Sequence, residues 1–138
     1  MNAFNLQRFV EGQAPVYADV LDELRAGKKT SHWMWFIFPQ HQALGRSAMA
    51  KHYGIASQAE ALAYLAHPLL GKRLLECTGL MLAVNGKTAL DILGATDERK
   101  FHSCMTLFQA ARPDLPVWNA ALEHYFGGTL DAATLALL

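Results

Sequence analysis

"SHWMWFIFPQ", residues 31–40, is the stretch whose reading separates an all-helical chain from a mixed one. It holds two of the three tryptophans and two of the seven phenylalanines. Trp33 to Phe38 is apolar at every position, so periodicity alone cannot distinguish a buried strand from a buried helix. The surrounding sequence has to arbitrate.

On both sides the punctuation is helical. Upstream, Asn5 can cap a short helix carrying Leu6, Phe9 and Val10. Pro15 can open a second with Val16, Val20, Leu21 and Leu24 facing inward, ended by Gly27. Downstream, Ser47 can cap a short helix that stops at Gly54. Ser57-Gln-Ala-Glu60 reads as a capping box, in which Ser57 and Glu60 reciprocally satisfy unpaired backbone N–H groups at the start of QAEALAYLAH. Pro68 breaks that helix after His67, which would cap it or bond its last carbonyls, and can begin PLLGKRLLECTGLMLAV, closed by Asn85-Gly86. Thr88 and Thr96 are candidate caps for ALDIL and DERKFHSCMTLFQAA. Pro113 and Pro116 precede VWNAALEHYF, Gly127-Gly128 ends it, and Asp131 can cap a last turn. Strand-like alternation is nearly absent. The pattern predicts an all-α orthogonal bundle of about seven helices, one domain over residues 1–138, with a short strand near Trp33–Phe38 as the alternative for the ambiguous segment.

Composition narrows the function classes. With 52% hydrophobic and only 17% charged residues in 138, the chain has ample material for one core and none of the signature of disorder. Lys+Arg and Asp+Glu both total 12, a formal net charge of zero, which speaks against a protein that grips nucleic acid through phosphates. Residues 1–75 carry eight basic against five acidic side chains, and the remainder four against seven, so a local anion site in the first part is a candidate. Cys77 and Cys104 stand far apart in apolar surroundings without CxxC or Cys/His metal spacing, as expected of buried reduced thiols. No basic-then-apolar leader opens the chain, and the longest apolar run is far short of the ~20 residues of a membrane helix. A soluble cytoplasmic protein is expected, with no membrane or nucleic-acid partner, as a monomer or homodimer.

FNLQRFVEGQAPVYADVLDELRAGKKTSHWMWFIFPQ, then LGRSAMAKHYGI, EALAYLAHPLLGKRLLE and finally DERKFHSCMTLF resemble, in order and without long insertion, the family known as domain of unknown function 1810. The resemblance runs from Phe4 to Leu138 and implies a helical fold. Some members carry the label calpastatin-like, a protease-inhibitor role that no pattern in this sequence supports. The resemblance brings no established activity and no catalytic residues. Cys104 stands where a second serine often follows the one matching Ser103.

Three constellations carry candidate chemistry. Trp33 and Trp35 could wall a site for a flat ligand, with His32 and Gln40 as polar contacts at the two ends; as plain core, the same aromatics need no ligand. Asp97, Lys100, Ser103 and Thr106 fall three residues apart along one helical stripe. There Asp97 could act as general acid or base, Lys100 as charge stabiliser and Ser103 as hydrogen-bond donor; an exposed Asp–Lys pair on a solvated stripe is the plainer account. Arg46 precedes a helix start at Ser47, with Lys28, Lys29, His32 and Arg73 as possible neighbours, but no GxxxxGK[ST] or GxGxxG phosphate loop is present. The six histidines form no HxH or HExxH, so no metal and no cofactor is expected. Ser103, His32 and Asp97 could be assembled into a hydrolase triad only without a GxSxG elbow.

The resulting expectation is a small anionic or nucleotide-like metabolite in a cleft between HWMWFIFPQ and the Asp97–Thr106 helix. His32, Trp33, Trp35, Gln40, Arg46 and Lys100 would bind it, and Asp97 and Ser103 are the catalytic candidates; whether the ligand is hydrolysed, and so whether the protein is an enzyme, is left open. The competing expectation is a non-catalytic protein–protein interaction domain whose motif residues form a buried structural network.

Overall fold

The computed structural model describes residues 4–138. Within them lie α1 (Gln7–Gln13), α2 (Tyr17–Ala26), α3 (Met34–Ile37), a 3-10 turn (Gln42–Leu44), α4 (Ala48–His52), α5 (Gln58–Ala66), α6 (Leu70–Ala83), α7 (Ala89–Leu93), α8 (Ala95–Ala111), α9 (Pro116–Phe126) and α10 (Ala132–Leu135). The fold is all-helical, with ten α-helices among the described residues where about seven were expected. The extra ones are single turns that hydrophobic period cannot resolve.

The ambiguous aromatic stretch becomes a helical turn. Phe38 N–H donates to the Met34 carbonyl at 3.1 Å, satisfying inside the segment a backbone that a buried strand could satisfy only against a partner strand. Met34, Phe36 and Ile37 are buried, as are Trp33 and Phe38 on either side. β-type pairing falls later, as an isolated parallel bridge between His41 and Ile55. There Ile55 N–H donates to the Gln40 carbonyl at 2.9 Å and Gln42 N–H to the Ile55 carbonyl at 2.8 Å. The crossing is close enough that a Cβ on Gly54 would stand 2.4 Å from Gln42 Cα, so glycine is required for space.

Helix α8 is the axis. From Phe101 onward it buries Phe101, Ser103, Cys104, Met105, Thr106, Leu107 and Phe108, on nearly every side, because α5, α7, α9 and α10 all pack against it. Phe38 meets Phe101 edge to face at 4.9 Å, which docks the aromatic turn onto this axis.

Two polar knots fix the first third of the chain. The Arg8 guanidinium donates to the carbonyls of Phe4, Asn5, His52 and Gly54 and to Glu60 Oε2, the last at 2.7 Å. Glu60 is buried and also accepts from Ala56 N–H at 2.9 Å. The second knot is Glu23, which receives the Thr30 and Ser31 N–H groups, the Ser31 hydroxyl and the Trp33 indole N–H. Burial alone would raise its pKa, but the Ser31 hydroxyl and the other three donors outweigh that and bring the carboxyl from 4.5 to about 2.

Several local expectations need correction. Asn5 lies at φ 49° and Leu6 occupies the cap position of α1 without a side-chain bond. Ser57 makes its half of the capping box, but the Glu60 carboxylate bonds Ala56 and Arg8 instead of closing it. The complete box is Thr88 with Asp91. His67 caps α5 as expected, its N–H donating to the Ala63 and Tyr64 carbonyls, and its ring also serves the start of α6, Nδ1 accepting from the Leu69 and Leu70 N–H groups. Thr96 lies inside α8, which begins one residue earlier after Gly94. Gly27, Ser47, Gly127 and Asp131 take the terminal positions expected of them. Both thiols are buried and unpaired, and burial pushes Cys77 up to about 12 and Cys104 well above its ordinary value.

Candidate functional site

The first half of α8 presents Thr96, Arg99, Lys100 and Ser103 at spacings of three and four, one face of a helix. This face forms one wall of a cleft of about 660 Å³, within the usual range for small-molecule sites. The facing wall comes from Gln40, Leu44, Arg46, Ser47 and Ala50, and the rim from Asp131 and Ala133.

Each wall is locally pinned. The bridge to Ile55 fixes Gln40, and Ser47 Oγ accepts from Ala50 N–H at 3.1 Å to start α4. Asp131 caps α10 through Thr134 N–H at 3.0 Å and is tied to α8 by its own N–H, which donates to Thr106 Oγ1 at 2.9 Å. Ser103 Oγ has both the Arg99 carbonyl, at 3.1 Å, and Asp131 Oδ2, at 3.2 Å, within reach of its single proton. His102 Nε2 lies 2.7 Å from the Thr129 carbonyl, which can only accept, so this nitrogen carries the proton. The same ring stacks on Phe126 with centroids 4.1 Å apart.

The charges on the wall are uneven. Arg46 and Arg99 have no ion-pair or hydrogen-bond partner for their side chains among the described residues, and Lys100 Nζ has only the face of Trp35, 5.4 Å away. Against these three cations stands one carboxylate, Asp131.

Of the residues read from sequence, Gln40, Arg46, Lys100 and Ser103 meet in this cleft, and half-buried Trp35 backs Lys100. The others lie elsewhere. Trp33 is fully buried with its indole on Glu23, and His32 is exposed outside the lining. Asp97 pairs with Lys29 at 2.9 Å, and Arg73 lies over Tyr17 and donates to Gln13. Ser103, His32 and Asp97 therefore do not form a triad. Arg99, His102 and Asp131 were not singled out as site residues. The 96/99/100/103 spacing carried the signal for Arg99, whereas nothing local distinguished Asp131 from an ordinary cap. No group of three or more His, Cys, Asp or Glu among the described residues is arranged to hold a metal ion. No helix among them is long and apolar enough to cross a membrane.

Fold and geometry together define a class: an all-helical protein with a cation-walled cleft of small-molecule size. The chain belongs to the family described as "Protein of unknown function (DUF1810)", whose model matches residues 3–138. A solved structure of the conserved hypothetical protein Rv1873 from Mycobacterium tuberculosis is similar at 52% sequence identity and a TM-score of 0.98, over 99% of this chain and 98% of that one. No curated protein matches the chain.

Proposed function

We propose that the protein binds a small anionic metabolite in the cleft between α8 and the Gln40–Ala50 wall. One observation carries this reading: Arg46, Arg99 and Lys100 line a single ligand-sized space with no carboxylate paired to them. Lys29, by contrast, is spent on an acidic neighbour, Asp97. Gln40 and Ser103 orient the ligand, and Trp35 holds Lys100 by its ring face. The two buried, unpaired thiols suit a reducing, cytoplasmic setting.

The test is a thermal-shift screen against inorganic phosphate, sugar phosphates, nucleotides and small carboxylates, with Arg99→Ala and Lys100→Ala alongside. A ligand at 100 times its Kd stabilises by about 2.7 kcal/mol, which moves the midpoint by several degrees. Both variants should lose that shift. Silence of the wild type across all four classes would overturn the reading.

The interaction-domain reading has support in the other half of the motif, where Trp33, Glu23, Lys29 and Asp97 form an occluded network. It predicts silence in the same screen together with a concentration-dependent mass in sedimentation.

A further inference from the structure

Asp131 is the one acidic residue on the wall of the cation-lined cleft, and its two oxygens differ. Oδ2 is engaged: it accepts from Thr134 N–H at 3.0 Å and Thr134 Oγ1 at 2.5 Å, with Ser103 Oγ 3.2 Å away. These bonds, with the backbone bond to Thr106, hold the carboxylate rigidly between α8 and α10. Oδ1 has no partner among the described residues. A carboxylate oxygen only accepts, so whatever satisfies Oδ1 must donate.

The three cations set the rest of the ligand. They suit a dianion better than a single carboxylate, and a phosphomonoester carries close to two charges near neutral pH. An ammonium donor would be drawn to Asp131 but opposed by Arg46, Arg99 and Lys100, so a neutral hydroxyl fits the field better. Arg99 and Lys100 lie about one helical turn before Ser103, and Ser103 touches Asp131. That offset is roughly 5–6 Å of helix rise, a span that a small phosphorylated polyol can bridge.

We propose that Asp131 makes this cleft selective for hydroxylated phosphomonoesters: Arg46, Arg99 and Lys100 hold the phosphate while Asp131 Oδ1 accepts a hydrogen bond from a ligand hydroxyl. The inference rests on the anion-binding reading above, and its failure can be told apart from the failure of that reading.

Calorimetric titration of the full chain with glycerol 3-phosphate, propyl phosphate and inorganic phosphate is the test, repeated on Asp131→Asn. In that variant the amide oxygen can keep the cap on Thr134, while the NH₂ replaces the free acceptor with a donor. Wild type should prefer glycerol 3-phosphate over propyl phosphate by about tenfold, the usual scale of a hydrogen bond to a charged group. In Asp131→Asn the ratio should fall to about threefold or less, because the amide NH₂ can give the ligand hydroxyl only a neutral bond, with propyl phosphate bound more tightly because a negative charge has gone. Should the asparagine variant melt well below wild type, Asp131→Ser, which also caps but lacks a second oxygen, gives the same ratio test. Equal affinities in wild type, or a preference that survives both substitutions, would overturn the selectivity and leave the anion cleft standing. Failure of all three probes to bind wild type would overturn this inference, and the anion reading falls with it only if nucleotides and small carboxylates are silent as well.

Discussion

Asp97 and Lys100 sit one turn apart on α8, yet they belong to different regions of the molecule. Asp97 turns toward the aromatic segment, where Lys29 meets it at 2.9 Å with side-chain exposures of only 7% and 18%. Lys29 also donates to the Ser31 carbonyl and lies 5.0 Å from the Trp33 ring, so charge, backbone and ring are consumed together. Lys100 turns the other way, into the cleft, with Arg99 beside it and no carboxylate paired to either. The first region behaves as a closed polar network that holds Trp33 and the preceding loop in place. The second keeps its hydrogen-bonding capacity. Burial of charge with a partner is architecture, whereas clustering of like charge without one costs stability and needs another explanation.

The largest effect is expected at the other closed polar knot, Arg8 with Glu60. Arg8→Ala would strip Glu60 of its guanidinium while leaving the carboxylate 3% exposed, and should cost about 3–5 kcal/mol in urea unfolding. A loss below about 1 kcal/mol would mean that the Arg8–Glu60 knot is not closed.

An intermediate effect is expected from acid. Glu23 has a folded pKa of about 2, below its ordinary 4.5, so its contribution is complete above pH 4.5 and is lost as the pH falls toward 2. Glu23→Gln should therefore be less stable than wild type at neutral pH and show a flatter decline across that window. Parallel acid profiles for the two proteins would remove Glu23 from the account of how Trp33 is held.

The smallest effect should come from the open end. Lys100→Gln and Arg99→Gln are expected to change stability by no more than about 0.5 kcal/mol, in either direction, while abolishing the response to anions. A destabilisation comparable to that of Arg8→Ala would place these cations in the structural network instead.

The legible part of the fold was the punctuation. Ser47, Gly27, Gly127 and Asp131 act through their own backbone neighbours, so their roles could be read without knowing the rest of the chain. Glu60 shows where such reading stops. Its spacing from Ser57 suits a capping box, but Arg8, 52 residues away, offers a charged partner, and the carboxylate goes there. Thr96 fails for a related reason: Gly94 starts the helix earlier, and Thr96 joins the cleft wall. Within the candidate site, Lys100 and Ser103 were visible from helical spacing, and Gln40 and Arg46 from their positions at the edges of apolar or helical segments. Asp97 satisfied the same spacing argument as Lys100 and lies outside the cleft.

The sequence by itself determined the helical class, most helix ends and the family, because capping, proline and glycine act over a few residues and the family motifs run the length of the chain. Which polar residues are spent and which are free depends on packing across the core. Trp33 depends on Glu23, Asp97 on Lys29, and the cleft on Asp131 arriving beside Ser103 from 28 residues away. Those pairings follow from how helices pack around α8, and the identity of a partner across the core leaves no mark on the local spacing of either residue.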